Sequence, residues 1–372
     1  MKANEEKSYL KQVICLAALE IAITIGWIAY EKYQPQLLRK FDFVQFASVL
    51  LIAQGVLGAI FHPVSGYLSD KMHEKNGTKF PLIISGAAFA AVIFIAVSLA
   101  VQTAPSSNLK WILPILIILW LAAMATFHSP SISLVENFAP VHKIPNVAAI
   151  LTIVFGLTFT IEPFILQILD RIGIPLTFVL GGILVMLTAY AIKYINQTGF
   201  AVVNDVAPVP EKQTNLFILF GMGFLIGFFK SIILFGIPSI WLSQDFLDKS
   251  SVLFSDADYL ESAILFFSAI SAIFVSKLVE KWTPLTSLLI GCVVAFLLCV
   301  VSYLVKHQNV VLLMLIAIGA TYALLAVASL PYILSKTRRG NSGYSVGLYY
   351  GGVSASTALV LLLLYSVGID AN

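Results

Sequence analysis

GYLSDKMHEKNGTKFP, residues 66–81, is a short polar island between two long apolar runs. It packs one acid (Asp70), three lysines (Lys71, Lys75, Lys79) and a glycine (Gly77) into a turn that closes on Pro81. The flanking runs are each long enough for a bilayer, whose hydrocarbon core asks for about 20 mainly apolar residues per helix. The island therefore reads as a loop at a membrane surface joining two spanning helices.

The rest of the chain fits that reading. Of its 372 residues 59% are hydrophobic and 11% charged, against about 25% charged in soluble domains. This composition defines a polytopic all-α membrane protein. The net charge of +3 is small and its lysines and arginines are spread between apolar segments, so no nucleic-acid partner is indicated. Cys15, Cys292 and Cys299 lie inside apolar runs without metal-type spacing. The polar start MKANEEKSYLKQ leads into an apolar run too long for a signal peptide and without a small-residue cleavage site. No phosphate-binding glycine loop, metal motif or nucleophile with a nearby base is present, which argues against an enzyme and against an ATP-driven pump.

Eleven spanning helices are predicted, over 12–33, 44–69, 80–101, 109–127, 147–169, 175–196, 216–243, 259–279, 284–305, 310–335 and 344–367. Residues 197–215, QTGFAVVNDVAPVPEKQTN, form the one long polar connection with two prolines. The predicted organisation is thus a six-helix half (1–196), a cytoplasmic linker (197–215) and a five-helix half (216–372). With the N-terminus in the cytoplasm, fourteen Lys and Arg fall on that side and seven on the other, the bias of the positive-inside rule. The 66–81 loop is then cytoplasmic, and with eleven helices the C-terminus is external. The sequons at Asn76 and Asn196 also fall on the cytoplasmic side and are discounted. The loop with Asp245, Asp248, Asp256, Asp258 and Glu261 is external, and reads as solvated surface.

Ionisable residues inside a membrane are costly and usually face a cavity or a partner. Glu20, Thr24, Trp27 and Glu31 recur at steps of four, three and four, so they share one face of the first helix. Lys230 is the central lysine of the seventh helix, with Gly223 and Gly227 close to its face, and Glu162 stands in the fifth helix before Pro163. Glu20, Glu162 and Lys230 are read as cavity residues, and Glu31 as a residue of the water boundary. His62 and His128 are set aside as hydrogen-bonded histidines near helix ends. Of the aromatics able to stack on a sugar ring (Trp27, Trp120, Trp241, Tyr322, Tyr332, Tyr349), Trp27, Trp120 and Tyr322 are selected.

Several stretches resemble the major facilitator superfamily, and more narrowly its glycoside/pentoside/hexuronide and sucrose-transporter branch. The spacing of Gly66, Leu68-Ser69-Asp70, Gly77 and Pro81 is similar to the branch's loop after the second helix. Gly26-Trp27 with Tyr33 and Pro35, Ser129-Pro130 with Leu134-Val135-Glu136 and Pro140, and Pro331-Tyr332 with Gly343, Gly347 and Tyr349-Tyr350 are similar to its first, fourth, tenth and eleventh helices. The anchor points span residues 26 to 350. There are departures: Thr78-Lys79 replaces an arginine pair, Glu136-Asn137 replaces an aspartate, no arginine stands near Ser131–Ser133, Asn146-Val147 stands for an Ala-Asn pair, and a twelfth helix is missing.

The resemblance implies two helical halves around a central cavity lined by helices one, four, seven and ten. It implies a secondary transporter working by alternating access on a small molecule, a sugar or glycoside taken up with a proton or sodium, with no other cofactor and no metal. It sets Glu20 opposite Lys230 as a possible pair. It makes Gly66, Asp70, Lys71, Gly77, Lys79 and Pro81 a gating loop, with Asp70 facing the positive end of the eleventh helix at Ser342–Ser345 and the lysines neutralising the acid or touching anionic lipid. Two other readings stand beside this one: an exporter of amphipathic compounds, and a transporter-like protein that acts as a sensor or assembly partner in the cell membrane. The residues leave the oligomeric state open.

Overall fold

The computed structural model describes residues 2–43, 47–102, 111–197, 216–244, 247–248, 250–338 and 340–366. Among these all regular structure is helical, with no strand. From residue 198 on, the expected linker lies outside the described residues. Among the described residues ten helices are long and apolar enough to cross a membrane, and Ala47–Asn76, 30 residues long, joins them in the bundle. In chain order the eleven are α1 (Lys2–Lys40), α2 (Ala47–Asn76), α3 (Phe80–Gln102), α4 (Ile112–Ser133), α5 (Ile144–Thr160, resuming through 162–172), α6 (174–197), α7 (Leu216–Leu242), α8 (Ala257–Lys281), α9 (Pro284–Leu304), α10 (Gln308–Ser335) and α11 (Ser342–Ser366).

The boundaries depart from the expected ones for local reasons. Pro35 does not end α1, which runs on to Lys40. Pro163 has no N–H to give to Phe159, and α5 loosens two residues earlier, at Ile161. Gly173 (φ 77°, ψ 165°) separates α5 from α6, a backbone geometry that suits glycine. In α7 the N–H missing at Pro238 faces Leu234, and residues Ile232–Gly236 widen into a π-turn that begins two residues after Lys230.

Because lipid tails are as apolar as the side chains, the bundle is fixed by close packing and interhelical hydrogen bonds. Large apolar side chains such as Phe164, Phe217 and Leu313 point outward. Inside, α6 runs back along α1, tied by Gln12 Nε2 donating to Asn196 Oδ1 (3.1 Å), while towards the other end of α1 Tyr33 Oη donates to Leu169 O (2.8 Å) in the last part of α5. Helix α6 also packs on α3, with Phe94 against Phe178. In the second half α10 packs on α8 and α9, and α7 on α11. The halves meet along two seams, α2 with α11 and α5 with α8. On the first seam the backbones nearly touch: a Cβ on Gly66 would lie 2.1 Å from Gly343 O, and one on Gly347 2.2 Å from His62 O.

Candidate functional site

At one end of the bundle the 66–81 loop fastens the halves together. α2 ends with Gly77 at φ 71°, its N–H bonded to His73 O (2.8 Å), and Pro81 sits in the first turn of α3, where a missing N–H costs nothing. Asp70, one turn after Gly66, reaches across to the start of α11. Its Oδ1 accepts from Gly343 N (2.9 Å) and its Oδ2 from Tyr344 N (2.7 Å), so the carboxylate caps the amides that a helix N-terminus leaves unpaired. Lys79, 2% exposed, lies 3.0 Å from Asp70 Oδ1 and donates to Ser133 Oγ (3.0 Å) and Ser342 Oγ (2.7 Å). Its three protons have three partners.

The other two lysines take no part. Lys71 is exposed with its ammonium 6.0 Å from the Tyr67 ring centre, and Lys75 is exposed. Two residues that depart from the branch's pattern add crossings here: Glu136 Oε1 accepts from Gly340 N (3.4 Å), and Asn146 Nδ2 donates to Glu280 Oε1 (2.7 Å) between α5 and α8.

Further into the bundle a cavity of about 200 Å³ opens between the halves, lined by residues of α1, α4, α5, α7, α10 and α11. Of the residues expected there, Glu20, Thr24, Trp27, Lys230 and Tyr322 line it. Glu20 and Lys230 face the same space without forming a pair. The Glu20 carboxylate is 3.6 Å from His128 Nε2, while Lys230 Nζ sits 4.8 Å from the centre of the Tyr322 ring. Lys230 has no ion pair or hydrogen bond among the described residues. Thr24 donates to the Glu20 carbonyl (2.8 Å) rather than into the cavity.

Two of the expected cavity residues lie elsewhere. Trp120 is one layer back, 2% exposed, stacked on Tyr30 (4.4 Å between ring centres) and edge-on to Trp27 (4.7 Å). It shapes the wall through Trp27. Glu162 follows the α5 stripe of Ala148, Leu151, Thr152 and Phe155, but stands seven residues beyond Phe155, about 10 Å further along the axis at 1.5 Å per residue. There, away from the latch, it feels the charges of Glu31, Asp258 and Glu261.

His128, expected as a hydrogen-bonded histidine near a helix end, also lines the cavity, as do Tyr349 and Tyr350. Behind them His62 Nδ1 is 2.7 Å from Ser129 Oγ, and Tyr349 Oη is 2.5 Å from Ser329 Oγ. A lone histidine in an otherwise apolar stretch of α4 was the available signal for His128. Its partner Glu20 lies 108 positions away, so the pairing had no local pattern to betray it.

A two-halved helical bundle with a central cavity and a latch at one end has the architecture of a membrane carrier. The chain belongs to the Major Facilitator Superfamily, whose family model matches residues 15–361, and it is a multi-pass membrane protein. Among solved structures it is similar to the human organic anion transporter MFSD10 (TETRAN), at 13% identity and a TM-score of 0.71 over 96% of this chain and 93% of that one. FucP, a superfamily transporter in the outward conformation, gives 13% and 0.66 over 98% and 94%. A bacterial homologue of the iron transporter ferroportin in an outward-facing state gives 12% and 0.68 over 96% and 92%. At these identities the likeness is one of fold. None of the curated protein sequences matches.

Proposed function

We propose that the protein is a proton-coupled secondary transporter working by alternating access, with Glu20 and His128 holding the proton and the adjoining cavity holding a small sugar-class substrate. The observation that carries this reading is a carboxylate and an imidazole 3.6 Å apart, facing a lysine across one cavity between the two halves. A membrane carboxylate beside a base can exchange a proton with either side as access alternates.

For the substrate, Trp27, Tyr322, Tyr349 and Tyr350 supply ring faces and hydroxyls, and Lys230 supplies donors for hydroxyls or for a carboxylate. The cavity is below the roughly 300–1,000 Å³ of pockets for drug-sized ligands, which favours a monosaccharide over a long glycoside. The structural neighbour named as an organic anion transporter makes an acidic sugar worth testing beside a neutral one. With the N-terminus inside, the Asp70–Lys79 latch is the cytoplasmic gate. The carboxylates Glu31, Glu162, Asp258 and Glu261 then stand at the external mouth, where a negative field gathers protons.

The test is uptake of labelled glucose and glucuronate into proteoliposomes with an alkaline interior. Accumulation of one of them, lost in Glu20→Gln while exchange without a gradient persists, supports the proposal. Accumulation driven by a sodium gradient and indifferent to pH would replace the proton by sodium. A folded protein that accumulates neither sugar under either gradient sinks the sugar assignment.

A further inference from the structure

Beside the cavity lies His62, a half-buried polar residue of α2 that neither the cavity nor the latch uses. His128 touches the cavity, and its ring centre is 5.9 Å from that of His62 on α2. Tyr350 of α11 lies beside both, 5.0 Å from His128 and 5.8 Å from His62. Ser129 Oγ fixes the His62 ring through Nδ1 at 2.7 Å. His62 precedes Asp70 by eight residues on α2, and His128 precedes the Lys79 partner Ser133 by five on α4. The backbone of His62 is pressed against Gly347, where α2 and α11 cross.

We infer that His62 is a second proton site, which receives the proton from His128 and links its position to the closure of the latch. This inference rests on the proton-coupled reading above. In the transfer an N–H bond of the His128 imidazolium breaks and an N–H bond forms on His62. His128 is left neutral and His62 cationic, with no change in oxidation state. Two imidazolium rings this close repel, so the pair holds one proton and not two.

The groups that bear on the choice come from each packed element: Glu20 from α1, Lys230 from α7, Tyr322 from α10, and Tyr349 and Tyr350 from α11. With Glu20 free to pair with His128, the proton stays at the cavity. Once the substrate or Lys230 engages Glu20, His128 loses its anion and the proton passes to His62, whose Nδ1 has the Ser129 hydroxyl 2.7 Å away. Its charge then lies at the α2–α11 crossing, which must part for the latch to open.

The test needs no substrate. Spin labels on Asn76→Cys and Ser335→Cys, exposed positions at the latch ends of the two halves, are placed in a protein whose Cys15, Cys292 and Cys299 are replaced by alanine. Their separation is read in nanodiscs across the range of about pH 5–8 in which histidine changes charge. A longer distance is expected to grow in as the pH falls. His62→Asn keeps an amide near the Nδ1 position for Ser129 but cannot titrate, and the response should flatten. Ser129→Ala removes the hydrogen bond and leaves the ring titratable, so the response should persist with its midpoint moved by less than about one pH unit.

The opposite ranking, with Ser129→Ala flat and His62→Asn normal, would make His62 a structural residue and overturn the inference. A normal response in both variants also overturns it while leaving proton coupling intact. A parent protein without any pH response overturns both readings. Loss of the monodisperse state in His62→Asn is met by His62→Gln, judged by the same flattening.

Discussion

Two groups of buried charges sit in one bundle and are built on opposite plans. At the latch every valence is filled: Asp70 takes two backbone amides and a lysine, and Lys79 spends its three protons on Asp70, Ser133 and Ser342. In the cavity the charges are left short. Lys230 has the face of Tyr322 and no anion among the described residues, and Glu20 has His128 at a loose 3.6 Å. A fully satisfied buried pair belongs to the structure that makes it, whereas an under-satisfied one keeps capacity for a ligand or a proton. The first kind defines a conformation, and the second defines a site.

The largest effect should come from breaking the satisfied group. Removing one partner of a buried ion pair costs about 3–5 kcal/mol, because the other is left uncompensated. Asp70→Asn would strand Lys79 and weaken the cap on α11, shifting the closed arrangement by that order, more than a hundredfold in population. The spin-label separation between residues 76 and 335 should lengthen at neutral pH. An unchanged distance would reduce the latch to a topological loop.

In the cavity the expected loss is smaller and falls on binding. Lys230→Met removes charge-assisted hydrogen bonds worth about 1.5–3 kcal/mol, roughly a ten- to hundredfold rise in the substrate concentration giving half-maximal uptake. The closed population at the latch should stay put. A greater loss for glucuronate than for glucose would assign Lys230 to a carboxylate, and equal losses would assign it to hydroxyls.

Smaller again is the effect of the ring beneath the lysine. A cation over an aromatic face is worth about 0.5–2 kcal/mol, so Tyr322→Leu should weaken substrate binding by about three- to thirtyfold with Lys230 in place. Tyr322→Phe, which keeps the face, should cost less. If phenylalanine and leucine behave alike, the hydroxyl rather than the ring is the contact that matters.

The same contrast decides what could be read from the sequence. The turn at 66–81 is legible because its parts have a local grammar: Gly66, Asp70, Gly77 and Pro81 are spaced by a helix end, a left-handed turn and a helix start, whereas the crossing from Asp70 to Ser342–Ser345 comes only from the family resemblance. Which lysine would serve was not legible, since Lys71, Lys75 and Lys79 differ only in where the turn at Gly77 delivers them. Periodicity found the Glu20, Thr24 and Trp27 face of α1 because one helix carries it. The partners lie on other helices: His128 on α4, Tyr350 on α11, and Tyr322 against Lys230. Glu162 lies beyond what periodicity can tell, since a stripe gives the face of a helix but not the depth at which a cavity stops.

A third charge pair provides the comparison's lower bound. Lys32 Nζ lies 2.7 Å from Asp170 Oδ2, a shorter contact than Lys79 makes with Asp70, yet the Asp170 side chain is 63% exposed against 7% for Asp70. If distance set the worth of an ion pair, Asp170→Asn would rival Asp70→Asn. If burial sets it, the cost should fall to the 0–1 kcal/mol of exposed pairs, because water or lipid headgroups replace the lost carboxylate at once. Lys32→Met should cost somewhat more than Asp170→Asn, since Lys32 is 15% exposed and also donates to Leu166 O (3.3 Å), an acceptor that Asp170→Asn leaves in place. Thermal unfolding of the two variants beside Asp70→Asn ranks them directly. An Asp170→Asn loss equal to that of Asp70→Asn would show that burial is not what separates the latch from the other charges of the bundle.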